Sequence, residues 1–298
     1  MTEPTLNFVE CPDPSGSHRM AYWQWGDPRA AHVVLCVHGL SRQGRDFDVL
    51  AQALLAVSPE PLRVICPDVV GRGKSDWLKD PTGYQLPQYG ADMLTLIRGL
   101  KPVTLDWVGT SMGGLIGIGL CGQTQLLPVP VHRLVLNDIG PNIQWQATQR
   151  IGTYLGQSVR FDTPQQAADL LWSLSSSFGP HTPEQWLALS RPMIKPAVDG
   201  AGYVLHYDPS IALPFKALTQ QDAELGQATL WKLYGQIVAE TLLVRGAMSD
   251  LLSPQTAQEM TQRGPRAHLV EFDGVGHAPT FVAQNQVQCV TDFLFGPA

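Results

Sequence analysis

The sequence predicts an α/β fold with a mostly parallel central sheet and helices on both faces of that sheet. Runs rich in β-branched and apolar residues recur along the 298 residues and alternate with segments of helical pattern. The run at 32–39 (HVVLCVHG) is apolar almost throughout, as a strand buried on both faces would be. Strands that alternate with helices in this way pair in parallel, because each helix carries the chain back across the sheet.

The first strand-like run differs from the later ones. Residues 20–26 (MAYWQWG) alternate in polarity between turn signals, which predicts an antiparallel strand. Buried strands are predicted over residues 32–39, 62–68, 103–109, 132–138, 240–246 and 267–274. Helices are predicted over residues 46–57, 87–100, 112–121, 254–263 and 283–295.

One interval interrupts the alternation. Residues 141–239 contain no convincing strand and are rich in Trp and Gln in helical pattern, and the Thr-Pro pairs at 163–164 and 182–183 predict helix starts. A helical insertion between two strands usually covers the sheet end where ligands bind. We therefore predict a core formed by residues 1–140 and 240–298, with a helical cap formed by residues 141–239.

Composition excludes several classes of protein. The chain has 44% hydrophobic and 15% charged residues, and its net charge is −6, from 20 basic and 26 acidic side chains. It has no Lys/Arg cluster, so we expect no nucleic-acid partner. The beginning of the sequence has no signal-peptide pattern, and no apolar run is long enough to span a bilayer, so we expect no membrane partner. Five scattered cysteines without metal-ligand spacing predict buried thiols in the cytoplasm and no metal site.

The stretch LDWVGTSMGG (105–114) carries the pattern G-x-S-x-G around Ser111. It follows a predicted strand and precedes a predicted helix, which is the context of a nucleophile elbow. Small residues are needed at such a turn, and Gly109, Gly113 and Gly114 supply them. The alternative is a glycine-rich turn with a surface serine. The strand-turn-helix context favours Ser111 as a nucleophile.

A nucleophilic serine needs a base and a group that orients the base. The order expected for this arrangement is Ser, then acid, then His. Asp250 and His277 lie in the loops after the last two predicted strands and fit that order. As alternatives, Asp250 is an N-terminal cap of the helix near 254 and His277 is a solvated loop residue. Asp138, at the end of the strand RLVLND, is the alternative acid.

The oxyanion hole is expected to use backbone N–H groups. One is that of Met112, directly after the nucleophile, and the second is that of Leu40, in the loop after the strand HVVLCV. His38 in the same loop is expected to be a structural residue that is hydrogen-bonded within the protein. The nearby GRGKS segment does not have the spacing of a phosphate-binding loop, so we predict no nucleotide site.

In combination, these motifs resemble those of the α/β-hydrolase superfamily. The resemblance rests on HG after a strand, D-x-x-G-x-G-x-S at 68–75, GTSMGG, RGAMSD and GVGHAP, and it runs from about residue 20 to the end of the chain. It implies an α/β-hydrolase fold with a helical cap and a Ser-His-Asp triad that works without metal or cofactor. Relatives that are epoxide hydrolases or haloalkane dehalogenases carry aspartate where this chain has Ser111, so both are disfavoured.

The best-supported activity is that of a carboxylesterase, which cleaves small-molecule esters through an acyl-enzyme. A C–C hydrolase of the meta-cleavage type, an enol-lactonase or a perhydrolase stays open as an alternative on the same fold, as does a non-catalytic binding member. Arg42 and Arg45 either contact an anionic substrate or pair with nearby aspartates. Three cap tryptophans are candidates for lining the substrate pocket, with simple packing as the alternative: Trp145, Trp172 and Trp186.

Overall fold

The computed structural model describes residues 3–296. Eight strands form one sheet in the order β1-β2-β4-β3-β5-β6-β10-β11, and three short strands form a second sheet in the order β7-β9-β8. Their bounds are β1 Thr5–Asp13, β2 Gly16–Gly26, β3 His32–Val37, β4 Leu62–Pro67, β5 Thr104–Thr110, β6 Val131–Asn137, β7 Arg160–Phe161, β8 Ile194–Pro196, β9 Tyr203–Leu205, β10 Glu240–Gly246 and β11 His268–Phe272.

The pairing of these strands confirms the predicted sheet. β3, β4, β5, β6, β10 and β11 pair in parallel. β2 pairs antiparallel with both β1 and β4, as the alternating pattern of residues 20–26 predicts. All carboxyl ends of the parallel strands therefore lie at one edge of the sheet, where side chains from several loops meet.

Helices cover both faces of the large sheet. The α-helices are α1 Asp48–Val57, α2 Leu86–Leu100, α3 Met112–Cys121, α4 Trp145–Tyr154, α5 Pro164–Ser175, α6 Pro183–Ser190, α7 Ala212–Ala217, α8 Gln220–Tyr234, α9 Pro254–Met260 and α10 Gln284–Phe295. Within β3, Val34 and Cys36 pack against α1 and α10, whereas Val33, Leu35 and Val37 join the core beneath α2 and α3. This alternation divides the apolar core into two layers. In the described part of the chain, no helix combines the length and apolarity needed to cross a bilayer.

The predicted core elements agree with the structure to within a few residues, except at the beginning. The edge strand β1 was not predicted, because most of its residues are at least partly exposed and its sequence TLNFVECPD lacks a clear apolar face. Pairing with β2 along the whole length of β1 holds this strand in place instead. The outer ends of the predicted core, residues 1–2 and 297–298, lie outside the described residues.

The insertion between β6 and β10 contains strands, so the prediction that residues 141–239 lack them is wrong. β7, β8 and β9 have two or three residues each, too few to produce a periodic pattern. The two Thr-Pro helix starts are confirmed, since the hydroxyls of Thr163 and Thr182 accept the N–H groups of Gln166 and Gln185.

The last helix of the insertion, α8, packs on the core. A Cβ on Gly122, directly after α3, would lie 2.5 Å from the Leu233 carbonyl oxygen, and the Tyr234 hydroxyl donates to the Met260 carbonyl at 2.8 Å. The C-terminal end of α8 thus packs with the helices that cover the sheet. Residues of the insertion between α4 and α7 instead contact loops at the carboxyl edge, since the Gly276 N–H donates to the Ser177 carbonyl and the Asp208 N–H donates to the Gly71 carbonyl.

Candidate active site

Ser111 lies at the sharp turn between β5 and α3. Its backbone adopts φ 52° and ψ −116°, a conformation that L residues rarely adopt and that costs about 1–3 kcal/mol. Its N–H donates to the Asn137 carbonyl at 3.0 Å, which ties the turn to β6. This turn conformation places the serine side chain at the carboxyl edge of the sheet, at the N-terminus of α3.

The glycines around Ser111 are required by close backbone approach. A Cβ on Gly109 would lie 2.5 Å from the carbonyl carbon of Gly113, and a Cβ on Gly113 would overlap the Val37 carbonyl. Alanine at either position would force α3 away from the sheet. The G-x-S-x-G pattern is therefore a steric requirement of this turn.

His277 lies in the loop after β11 and links Ser111 to an acid. Its Nε2 is 3.0 Å from the Ser111 hydroxyl oxygen, and its Nδ1 is 2.7 Å from Asp138 Oδ2. With Asp138 ionised, Nδ1 carries the proton and Nε2 is free to accept from the serine hydroxyl. These distances are those of a nucleophile, a base and an orienting carboxylate.

The predicted pairing of Asp250 with His277 is wrong. The Asp250 side chain is 51% exposed and forms an ion pair with Arg150 of α4 at 2.8 Å. Asp250 also does not cap α9, because Ser253 accepts the Thr256 N–H at that helix start. Asp138, the alternative acid of the sequence analysis, holds the position next to His277.

Asp138 is held in a fully buried hydrogen-bonding environment. Its Oδ1 accepts the Gly246 N–H at 2.9 Å, and its Oδ2 accepts the Ser249 hydroxyl at 2.6 Å as well as the His277 ring N–H. The side chain is 0% exposed. A buried carboxylate is tolerated only when its oxygens are satisfied in this manner. The end of β10 and the loop after it therefore supply one donor each to the acid.

Sequence reasoning missed three supporting residues of this site: Asn137, Gly246 and Ser249. The Asn137 amide donates to the Thr110 hydroxyl and to the Pro279 carbonyl, at 3.0 and 2.8 Å, and so joins the serine turn to the histidine loop. The available signal was the Asn-Asp pair directly after a buried strand, since polar residues there reach the carboxyl edge of the sheet.

The loop after β3 lies against Ser111. An ideal Cβ on Gly39 would be 3.6 Å from the Ser111 Cβ. The guanidinium of the buried Arg72 fixes this loop: its Nε donates to the Leu40 carbonyl at 2.9 Å, and its Nη2 lies 3.7 Å from the Met112 sulfur. Arg72 thus contacts both residues that were predicted to form the oxyanion hole.

His38 joins the same loop to the end of β4. The Val69 N–H donates to Nε2 at 2.9 Å, so Nδ1 carries the proton and donates to the Gly39 carbonyl at 2.7 Å. Burial, which outweighs the hydrogen bond to Gly39, lowers the pKa of His38 to about 3, and the positive charges of Arg72 and Arg42 act in the same direction. The histidine is therefore neutral at physiological pH and structural, as expected.

A small cavity of about 30 Å³ lies beside the serine and histidine loops. It is lined by Arg42, Asp46, Phe47, Thr110, Phe178, Leu189, Ala278, Pro279 and Thr280. The three predicted tryptophans are not among these residues. Trp186 instead donates its Nε1–H to the Ala168 carbonyl and packs edge-to-face on Trp172 at 5.0 Å. Trp145 begins α4 and is half-buried.

The insertion is hydrogen-bonded to the loop that carries His277. The Gly276 N–H donates to the Ser177 carbonyl, and the ring of His181 shares a hydrogen bond with the Thr280 hydroxyl at 2.8 Å. Burial lowers the pKa of His181, which leaves this contact uncharged at neutral pH. The insertion and the loop that carries His277 are therefore joined by two hydrogen bonds.

A second polar cluster lies away from this site, between the β1–β2 hairpin and α2. Potential metal-ligand atoms of Cys11, His18 and Asp92 lie within 4.8 Å of one another, and all three residues are buried. His18 already uses both ring nitrogens, at 2.9 Å to Asp13 and 3.1 Å to Asp92. A satisfied histidine–carboxylate bridge accounts for this cluster without a metal ion.

Comparisons with known proteins agree with this fold. The model of the alpha/beta hydrolase family matches residues 34–287. A 3-hydroxybutyrate-oligomer hydrolase from Cupriavidus necator is 49% identical over 295 residues, which cover 98% of each chain. The crystal structure of an alpha/beta hydrolase from Novosphingobium aromaticivorans is 32% identical and covers 99% of each chain with a TM-score of 0.83.

A hydrolase structure from Rickettsia typhi, described as putative by its authors, is 26% identical and covers 100% of each chain with a TM-score of 0.85. The predicted fold and the predicted class of enzyme, a hydrolase acting on carboxylic esters, are confirmed by these likenesses. Because the family model matches most of the chain, the protein belongs to the alpha/beta hydrolase family.

Proposed function

We propose that this enzyme hydrolyses the ester bonds of short 3-hydroxybutyrate oligomers, with Ser111 as nucleophile, His277 as base and Asp138 as the orienting acid. The observation that carries the mechanism is the continuous series of contacts from Asp138 through His277 to Ser111, at 2.7 and 3.0 Å. The substrate class rests on the 49% identity to the Cupriavidus necator oligomer hydrolase over nearly the whole of both chains.

In the first step, the Ser111 oxygen attacks the ester carbonyl carbon while His277 Nε2 takes the hydroxyl proton. The carbonyl oxygen becomes an oxyanion, and the new positive charge on the imidazole is stabilised by Asp138. When the tetrahedral intermediate collapses, the bond to the alkoxy oxygen breaks, and His277 returns the proton to that oxygen. The products of this step are an alcohol and an acyl-Ser111.

The oxyanion is stabilised by the N–H groups of Leu40 and Met112 in this proposal. Met112 is the first residue of α3, so its N–H belongs to the unpaired first turn of a helix. Leu40 is held through its carbonyl by Arg72. Each such donor is worth on the order of 3 kcal/mol of transition-state stabilisation.

The second step mirrors the first. Water attacks the acyl carbon, His277 takes a proton from the water, and the proton then returns to the Ser111 oxygen as the acid leaves. The sum is one ester and one water converted to one acid and one alcohol. No metal or cofactor is required by these steps.

The insertion acts as a cap over the substrate in this proposal, because it is hydrogen-bonded to the His277 loop on one side and to the Arg42 loop on the other. We place the enzyme in the cytoplasm, because the described cysteines are free thiols and four of the five are buried. A charge of −6 without a basic patch argues against a nucleic-acid partner.

The test uses the 3-hydroxybutyrate dimer and trimer, with product release followed by chromatography, on the wild type and on Ser111→Ala. We expect wild-type turnover and a loss of about 10⁴–10⁶-fold in kcat for the variant. A fluorophosphonate probe should label the wild type at Ser111. Labelling without oligomer hydrolysis would contradict the proposed substrate but not the proposed nucleophile. Lactones, C–C substrates and peroxide would then be tested. An unlabelled Ser111 would favour a non-catalytic binding protein.

A further inference from the structure

A cavity lies between the loop after β3 and the loop that carries His277, and the role assigned to it below rests on the proposed function. Thr110 and Ala278, which line this cavity, are the chain neighbours of Ser111 and His277. Its volume of about 30 Å³ holds about two water-sized groups, which matches the two oxygens of a carboxylate. A substrate group that enters here would contact residues directly adjacent in sequence to the nucleophile and the base.

Arg42 is the one Lys or Arg among the residues that line the cavity. An ideal Cβ on Gly39 would lie 3.6 Å from the Ser111 Cβ and 3.7 Å from Arg42 Cγ, so the two side chains flank the same glycine. The Arg42 side chain therefore starts beside the turn that carries Ser111.

The guanidinium of Arg42 is held in one orientation. Its Nε and Nη2 both donate to Asp46 at 2.7 Å, its Nη2 also donates to the Leu189 carbonyl at 3.3 Å, and the Phe178 ring lies 5.9 Å from it. The side chain is 11% exposed. Among the described residues, no acceptor faces Nη1, whose two N–H groups are thus free for a ligand.

A linear 3-hydroxybutyrate oligomer ends in a free carboxylate, one hydroxybutyrate unit away from its last ester bond. We propose that Arg42 Nη1 binds this terminal carboxylate and so places the last ester bond at Ser111. The enzyme then releases one 3-hydroxybutyrate per turnover from the carboxyl end. Asp46 fixes the guanidinium and also opposes the incoming negative charge, so the effect on affinity is moderate.

The test compares the dimer as a free acid with its methyl ester, which lacks the terminal charge. Cleavage of the internal ester bond is followed by chromatography in the wild type, Arg42→Gln and Arg45→Gln. Arg45 is the matched control, because it pairs with Asp48 and stacks on Trp23 without lining the cavity.

We expect Arg42→Gln to raise KM for the acid about 10-fold and to change KM for the methyl ester less than about 2-fold, as the loss of a charged hydrogen bond predicts. Arg45→Gln should change neither. An equal rise for both substrates, or no rise for the acid, would overturn the proposal.

Asp46→Asn gives a test of opposite sign. It removes the opposing charge while keeping an acceptor for Arg42, so KM for the acid should fall about 2–5-fold and KM for the methyl ester should stay constant. An unchanged or raised KM for the acid would contradict the subsite. Failure of the proposed function is distinguishable, because the wild type would then cleave neither dimer while Ser111 still reacted with the fluorophosphonate.

Discussion

Two aspartates follow neighbouring strands of the sheet, and they have opposite surroundings. Asp138 follows β6 directly, is 0% exposed and accepts hydrogen bonds from three residues. Asp250 lies four residues beyond the end of β10, is 51% exposed and pairs with Arg150. Both are in loops at the carboxyl edge of the sheet, so that location alone does not decide which one orients the histidine.

The two aspartates differ in their surroundings because β10 and the loop after it donate hydrogen bonds to Asp138. The last residue of β10 contributes the Gly246 N–H to Asp138, and the loop after β10 contributes the Ser249 hydroxyl, whereas Asp250 of the same loop extends to solvent. A buried carboxylate needs such donors, whereas an exposed one is solvated by water. Order in the chain does not identify the orienting acid here, because both aspartates lie between Ser111 and His277. The buried donors around Asp138 identify it.

The largest effect that we expect on stability concerns a buried residue at a third strand end, His38 after β3. Its folded-state pKa of about 3 lies below the ordinary value of 6.5, so between these values the unfolded chain binds the extra proton. Stability is fully present above pH 6.5 and falls with acidification, by up to about 1.4 kcal/mol per pH unit.

The His38→Gln variant tests this expectation, since glutamine does not titrate. Its free energy of unfolding, measured by urea denaturation from about pH 7 to pH 5, should be lower at neutral pH and should depend less on pH than that of the wild type. His206, whose pKa is lowered to about 4 by burial, titrates in both proteins and cancels in the comparison. Parallel pH curves for the two proteins would contradict a buried, neutral His38.

The next effect concerns Ser249, which donates a hydrogen bond to Asp138 from the loop after β10. Ser249→Ala removes the hydroxyl that donates to Asp138 Oδ2 at 2.6 Å, and we expect kcat/KM to fall about 10-fold. Ser253→Ala in the same loop is the control: it removes the cap of α9 and should lower stability by about 1 kcal/mol while leaving kcat/KM unchanged. Equal kinetic effects of the two variants would show that the loop acts only through stability.

The smallest effect is expected at the exposed pair of Arg150 and Asp250. A double-mutant cycle with Arg150→Gln and Asp250→Asn should give a coupling free energy of unfolding of about 0–1 kcal/mol, because solvent screens both charges. A coupling above about 2 kcal/mol would mean that the pair is more important to the fold than its exposure indicates.

Much of the fold followed from residue patterns. The continuous apolar runs predicted the parallel strands, and the alternating run at 20–26 predicted the antiparallel one, because burial on two faces or one face leaves a distinct pattern. The strands of the insertion could not be predicted in this way, because two or three residues cannot show a period.

The site, like the fold, could be predicted only in part. The contact of Ser111 with His277 followed from local motifs, whereas the acid depended on contacts between distant residues. The hydroxyl of Ser249 and the N–H of Gly246 reach Asp138 across more than 100 positions of sequence. The hydrogen bond from Arg72 to the Leu40 carbonyl could not be predicted either, because it also joins distant residues. The GRGKS segment that contains Arg72 indicates by itself only that the segment is not a phosphate-binding loop.

The most direct test of the account is to compare kcat/KM of Asp138→Asn and Asp250→Asn with that of the wild type on the 3-hydroxybutyrate dimer, after circular dichroism shows that all three proteins are folded. We predict a loss of about 10³–10⁴-fold for Asp138→Asn, because an amide does not hold the histidine in the tautomer that accepts the serine proton. Asp250→Asn should stay within about 2-fold of the wild type, as expected for an exposed ion pair. A large loss for Asp250→Asn with an active Asp138→Asn would contradict the assignment of Asp138 as the orienting acid.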